Sequence, residues 1–183
     1  MAHSLRPFRQ YDEHDVVNLF AYSGDVATPV LAGKAVKIVG SGFMASSTNP
    51  IEDIGSVGAS FANTVSSRYG TVSKVAPAVS GDAVLGLTLM DIRETDENGE
   101  KLVFNPRKAA EMGVVISGQT VPVLTRGVVL YSGLSAATAG ASVYLSHNSA
   151  GDLTTTQVGS STKVGKVLGV TDANGFTLLK IEL

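Results

Sequence analysis

The sequence predicts an all-β protein: two small β-barrel or β-sandwich-like units related by a tandem duplication, with an extended N-terminal arm and one short helix near residues 105–112. Three observations carry this expectation. Ala32-Gly33-Lys34-Ala35-Val36-Lys37-Ile38-Val39 is echoed by Ala139-Gly140-Ala141-Ser142-Val143-Tyr144-Leu145-Ser146, and Ala83-Val84-Leu85-Gly86-Leu87-Thr88-Leu89-Met90 by Lys166-Val167-Leu168-Gly169-Val170-Thr171. Each copy opens an alternating strand on a turn glycine and later crosses with Val-Leu-Gly-hydrophobic-Thr. The composition also fits, because 44% of residues are hydrophobic but only 6% aromatic, so a core must come from Val, Leu, Ile and Ala. Finally, short apolar runs recur between Gly, Ser and Asn-Gly punctuation, the spacing of small β-barrels.

Residues 1–15 are polar and charged and read as an arm, with Arg6, Phe8, Arg9 and Tyr11 ahead of the cluster Asp12-Glu13-His14-Asp15. Arms of this composition order when a neighbour holds them. The first unit spans 16–93, with strands expected over 16–21, 26–31, 34–39, 71–76 and 83–93. The distance from residue 32 to 83 exceeds that from 139 to 166, so the first copy carries an insertion, placed at about 41–70. That stretch is Gly/Ser/Asn-rich, is broken by Asn49-Pro50, and scatters Phe43, Ile51, Ile54, Val57 and Phe61 without a period. A long excursion of this kind is usually functional or held by a partner.

Residues 94–113 form a linker. Asn98-Gly99 predicts a type I′ hairpin turn, since both residues tolerate positive φ, followed by a strand over 101–104. Asn105-Pro106 then reads as an N-cap with proline in the first turn, and Gly113 as the stop, giving a two-turn helix. The second unit, 114–183, carries strands expected over 114–117, 121–124, 127–132, 142–146, 153–157, 164–170 and 176–182, with Asn174-Gly175 turning into the last.

Composition also narrows the chemistry. Charged residues are 16% of the chain, below the roughly 25% of ordinary domains, which fits a surface partly hidden in an assembly. A net charge of −2 gives no basic footprint for nucleic acid, and the lack of cysteine removes disulfides, thiolate catalysis and Cys-type zinc sites. The start lacks a signal-peptide core and no apolar run is long enough to span a bilayer, so a soluble protein made in the cytoplasm is expected. Gly40-Ser41-Gly42 and Gly55-Ser56-Val57-Gly58 do not form a nucleophile elbow. His3, His14 and His147 lack metal-pair spacing. Asp12, His14 and Asp15 could together hold a divalent ion, against the reading of a solvated charged arm. Asp96 and Asp172 open turns that resemble calcium loops, but position twelve is Arg107 in one and Leu183 in the other, not Glu. Nothing positive supports an enzyme, and no cofactor is expected.

The run Arg126-Gly127-Val128-Val129, Ala139-Gly140-Ala141-Ser142-Val143-Tyr144-Leu145, Gly151-Asp152-Leu153-Thr154 and Lys163-Val164-Gly165-Lys166-Val167-Leu168-Gly169 resembles the capsid cement (decoration) proteins of tailed bacteriophages. The opening Tyr11 to Ala21 is similar to the N-termini of phage virion structural proteins. The resemblance covers residues 11–40 and 120–183; segments 41–70 and 91–113 depart from the minimal pattern. It implies a non-enzymatic protein on the outer capsid surface that binds the expanded icosahedral shell, with the major capsid protein and its own copies (a homotrimer) as partners and neither nucleic acid nor membrane. Capsid or inter-subunit contacts are then expected at Arg6, Phe8, Arg9, Tyr11, Phe43, Ile51, Ile54 and Phe61. Two other classes stay open: a head-fibre base or tail component, and a carbohydrate-binding β-domain, for which the chain has no Trp platform.

Overall fold

The computed structural model describes residues 5–7, 15–23, 26, 28–40, 73–116, 118–134 and 137–183. Among the described residues, fourteen short strands carry most of the regular structure: β1 (Leu5–Pro7), β2 (Val16–Val17), β3 (Ala21–Tyr22), β4 (Ala35–Val39), β5 (Lys74–Pro77), β6 (Gly86–Thr88), β7 (Asp91–Arg93), β8 (Val114–Ile116), β9 (Val123–Leu124), β10 (Arg126–Ser132), β11 (Ser142–Leu145), β12 (Leu153–Thr154), β13 (Lys163–Val167) and β14 (Phe176–Glu182). The helix α1 (Pro106–Met112) falls where expected. The Asn105 side chain accepts from the Lys108 amide, and Gly113 closes the helix at φ 64°.

Two six-stranded sheets dominate. The first runs β2-β9-β6-β4-β5-β3 and the second β1-β10-β14-β13-β11-β12. Setting aside β3 and β1, each sheet orders its own five strands first, fifth, fourth, second, third along the chain, every pair antiparallel. The first sheet differs in its connections. Residues 40–73 join β4 to β5 where 146–152 suffice in the second, and 89–122 join β6 to β9 where 168–175 suffice.

The ladder register revises the sequence echo. Val36 pairs with Gly86 and Val143 with Gly165, so the counterpart of Gly86 is Gly165, not Gly169. Both glycines sit where a Cβ would collide with the next strand, at the Leu124 carbonyl and the Lys180 carbonyl respectively. Gly169 has open space around it.

Neither sheet closes into a barrel among the described residues, which corrects the barrel expectation. Closure needs edge strands long enough to pair with each other. The second sheet ends in the three residues of β1, terminated by Pro7 with no N–H to donate, and in the two of β12. The sheets instead share one core. Ala35, Leu87 and Leu124 of the first pack in one cluster with Val129, Tyr131, Val143, Leu145, Leu179 and Ile181 of the second. Alternate residues of the first sheet, Val36, Val75 and Val123, turn to the opposite face and join Phe20, Tyr22, Ile92 and Val115 in another cluster. The first sheet is thus buried on both faces at its centre, with Ile38 and Val39 at the end of β4 exposed, and the second on one.

Three further expectations change. Leu5 to Pro7, placed in the arm, form an edge strand on β10, and Leu5 is buried in the shared core. Val123–Leu124, placed in the second unit, is hydrogen bonded into the first sheet between β2 and β6. Leu102–Phe104, expected as a strand, is a 3₁₀ turn: Phe104 N–H donates to the Lys101 carbonyl and Asn105 N–H to that of Leu102, winding the chain directly into α1. Around it, β7 and β8 pair in parallel, and Leu102, Ala109 and Ile116 make a small third cluster.

Candidate interaction surface

Strand alternation decides which side chains the second sheet presents to solvent. Along β10 the buried residues Gly127, Val129 and Tyr131 alternate with Arg126, Val128, Leu130 and Ser132; along β14 Thr177, Leu179 and Ile181 alternate with Phe176, Leu178, Lys180 and Glu182. The outward set is mixed. Near one end Leu130 faces Leu178, and the Arg6 guanidinium lies 4.4 Å from the centre of the Phe176 ring, within cation–π range.

Toward the other end the face becomes cationic. Lys166 of β13 stands directly opposite Lys180 of β14, and Arg126 opposite Glu182. Lys180 Nζ reaches Glu182 Oε2 at 2.9 Å. That hydrogen bond, with the charges of Lys180, Arg126 and Lys166 around it, holds the Glu182 carboxyl below its usual range. Two carboxylates, Glu182 and the Asp15 that approaches Arg126, therefore stand against four cations once Lys163 is counted. Lys163, Gly165, Lys166, Leu168, Lys180 and Glu182 line a shallow, open concavity of about 330 Å³. Like charges directly opposite on a ladder repel, so the arrangement favours an incoming anion.

The hairpin between β7 and α1 carries a local excess of exposed carboxylates, tempered by Lys101 and by Lys108, which feels the charges of Glu97 and Glu100. The hairpin over 94–101 exposes Glu94, Glu97 and Glu100, while Asp96 turns inward. Asp96 Oδ1 accepts from the amides of Asn98 and Glu100, and its other oxygen pairs with Lys108 of α1. The Gly99 amide donates to the Asp96 carbonyl and the Asp96 amide to that of Glu100. This is a three-residue loop closed by a glycine at φ 84°, rather than the two-residue type I′ turn expected. The same four bonds recur at Asp172-Ala173-Asn174-Gly175-Phe176. The aspartates of both supposed calcium-like turns thus bind their own backbone.

Of the residues expected to make contacts, Arg6 lies on the exposed face; Phe8, Arg9, Tyr11, Phe43, Ile51, Ile54 and Phe61 lie outside the described residues. Asp15 approaches Arg126 at 3.7 Å, whereas Asp12 and His14 also lie outside. Among the described residues no group of three or more His, Cys, Asp or Glu could hold a metal ion, and no helix is long and apolar enough to cross a membrane. Sequence reading missed Lys163, Lys166 and Lys180 as a group. The only available signal was the outward alternation of strands expected at 164–170 and 176–182. No family model, curated protein or solved structure matches the chain.

Proposed function

We propose that this chain is a non-enzymatic structural protein of a phage virion, made in the host cytoplasm, that binds the outer surface of the expanded icosahedral capsid and stabilises it as a cement protein. The observation that carries the reading is a sheet buried on one face only, whose other face sets exposed lysines beside apolar residues on a firmly packed support. A cement needs such a surface and no reactive centre, since many modest contacts repeated over a lattice add up to firm attachment. The resemblance in residues 11–40 and 120–183 supplies the family, and with it the major capsid protein and further copies of the chain, as a trimer, as partners. The common strand order of the two sheets supports the tandem duplication as the origin of the chain.

Arg6 and the segment around it remain the proposed contact point, now on a strand anchored to the protein's own β10 rather than on a free arm. Co-sedimentation of purified protein with expanded, undecorated capsids of the phage that encodes it, and with unexpanded procapsids, tests the proposal. Saturable binding to expanded shells alone is the expected result.

A further inference from the structure

The charged surfaces at the two ends of the molecule complement each other, yet they cannot meet within one chain. From one side to the other the layers are the lysine-bearing face, the second sheet, the shared core, the first sheet, the Val36/Ile92 cluster, and the β7–β8 ribbon with the hairpin and α1. The exposed Glu94, Glu97 and Glu100 therefore lie on the far side of two sheets from Lys163, Lys166 and Lys180.

Each surface also carries exposed apolar area next to its charges. Phe104, three residues beyond Lys101, is 74% exposed. Val170 is 71% exposed and Leu168, on the wall of the lysine-lined concavity, 47%. Isolated exposed apolar residues are ordinary, but among the described residues the two most exposed large ones stand near opposite charges, Phe104 close in sequence to the hairpin glutamates and Val170 two residues beyond Leu168 of the lysine concavity.

We infer that the lysine-bearing concavity of one copy receives the Glu94–Phe104 segment of a second copy, Phe104 packing against Leu168 and Val170 while Glu97 and Glu100 meet Lys163 and Lys166. A buried aromatic anchor ringed by charge pairs is the usual economy of a specific contact. The contact is heterologous, using different patches on the two copies, so it propagates until it closes into a ring or continues as a filament. This deepens the self-association part of the function proposed above, and it is read on the isolated protein, so failure of capsid binding and failure of this contact are separate outcomes.

The test is sedimentation velocity of the purified full chain from about 1 to 100 µM at low and high salt, on four proteins. Wild type is expected to associate with concentration and to weaken as salt rises. K163E/K166E and E97K/E100K are each expected to weaken association at least about tenfold. The combined fourfold variant is expected to recover most of the loss, because the charges are exchanged rather than removed. Phe104→Ala should weaken association in low and high salt alike. Replacing Lys166 by Glu opposite Lys180 removes a repulsion from the ladder, so the fold should survive, and a thermal melt checks it. Wild type monomeric throughout, charge variants that associate as wild type does, or a fourfold variant no better than either pair would each overturn the inference.

Discussion

The Lys34 ammonium is ion-paired with the Asp152 carboxylate, tying the residue that enters β4 of the first sheet to the residue that enters β12 of the second. Around the pair the Ala35 amide donates to the Gly151 carbonyl at 2.8 Å and the Gly151 amide to that of Ala78 at 2.7 Å. The two sheets are therefore joined by polar contacts at the rim of their shared apolar core. Both side chains are largely buried, 23% and 13% exposed, so neither end can be rescued fully by water when its partner is lost.

Asp152→Asn is accordingly expected to destabilise the protein by about 1–3 kcal/mol, between the values for exposed and fully buried pairs. A double-mutant cycle with Lys34→Met, followed by urea unfolding, measures the coupling. A coupling near zero would show that the ion pair adds nothing to the apolar core and the backbone hydrogen bonds that join the sheets.

Gly165 and Gly169 separate the ladder from the sequence echo. A methyl group at Gly165 drives into the Lys180 carbonyl, whereas one at Gly169 meets nothing within 4 Å. Gly165→Ala should cost about 2–3 kcal/mol through forced backbone shifts, and Gly86→Ala should behave alike, while Gly169→Ala stays within about 0.5 kcal/mol of wild type. Thermal melts of the three variants decide it. Equal effects at 165 and 169 would contradict the register.

Tyr131 gives the fold an alkaline limit. Burial pushes its phenol well above the ordinary value of 10.0, and its hydroxyl accepts from the Leu153 amide at 3.4 Å. The unfolded chain releases this proton near pH 10 and the folded chain holds it. The contribution is therefore complete below pH 10 and is lost as pH rises toward the folded value. Unfolding above pH 10 should coincide with the rise in phenolate absorbance, and Tyr131→Phe should lessen that alkaline loss.

Asp96 sets the corresponding acid behaviour of the hairpin. The hydrogen bond from Lys108, aided by the amides of Glu100 and Asn98, holds its carboxyl below the ordinary 3.8, and the same bond raises Lys108 above 10.5. Stability from the pair is present above pH 3.8, is lost as pH falls through the lower folded value, and is lost again as Lys108 deprotonates. Carboxyl-detected NMR should give Asp96 a midpoint below 3.8, and Lys108→Met should return it toward that value.

What sequence reading could reach depended on the range of each signal. The helix was legible because Asn105, Pro106 and Gly113 act on their immediate neighbours. The last strand was legible because Phe176 to Glu182 alternate without interruption. Leu102–Phe104 was misread because three apolar residues after a turn fit a strand or a tight helical turn equally well. Val123–Leu124 was assigned to the wrong unit because sheet membership is fixed by partners distant in sequence, here Val16–Val17 and Leu87–Thr88. The lysine-bearing face was hidden for the same reason. Lys166 and Lys180 meet only across the β13–β14 ladder, and a net charge of −2 masks a local surplus of positive charge.

The most direct test of the cement reading is occupancy on capsids. Wild-type protein and Arg6→Ala would be titrated onto expanded shells and procapsids of the encoding phage, and bound protein counted after sedimentation. Saturation of expanded shells at a fixed ratio to the major capsid protein, with little on procapsids and weaker binding by Arg6→Ala, is the predicted result. No saturable binding to expanded shells by well-folded wild-type protein would contradict it.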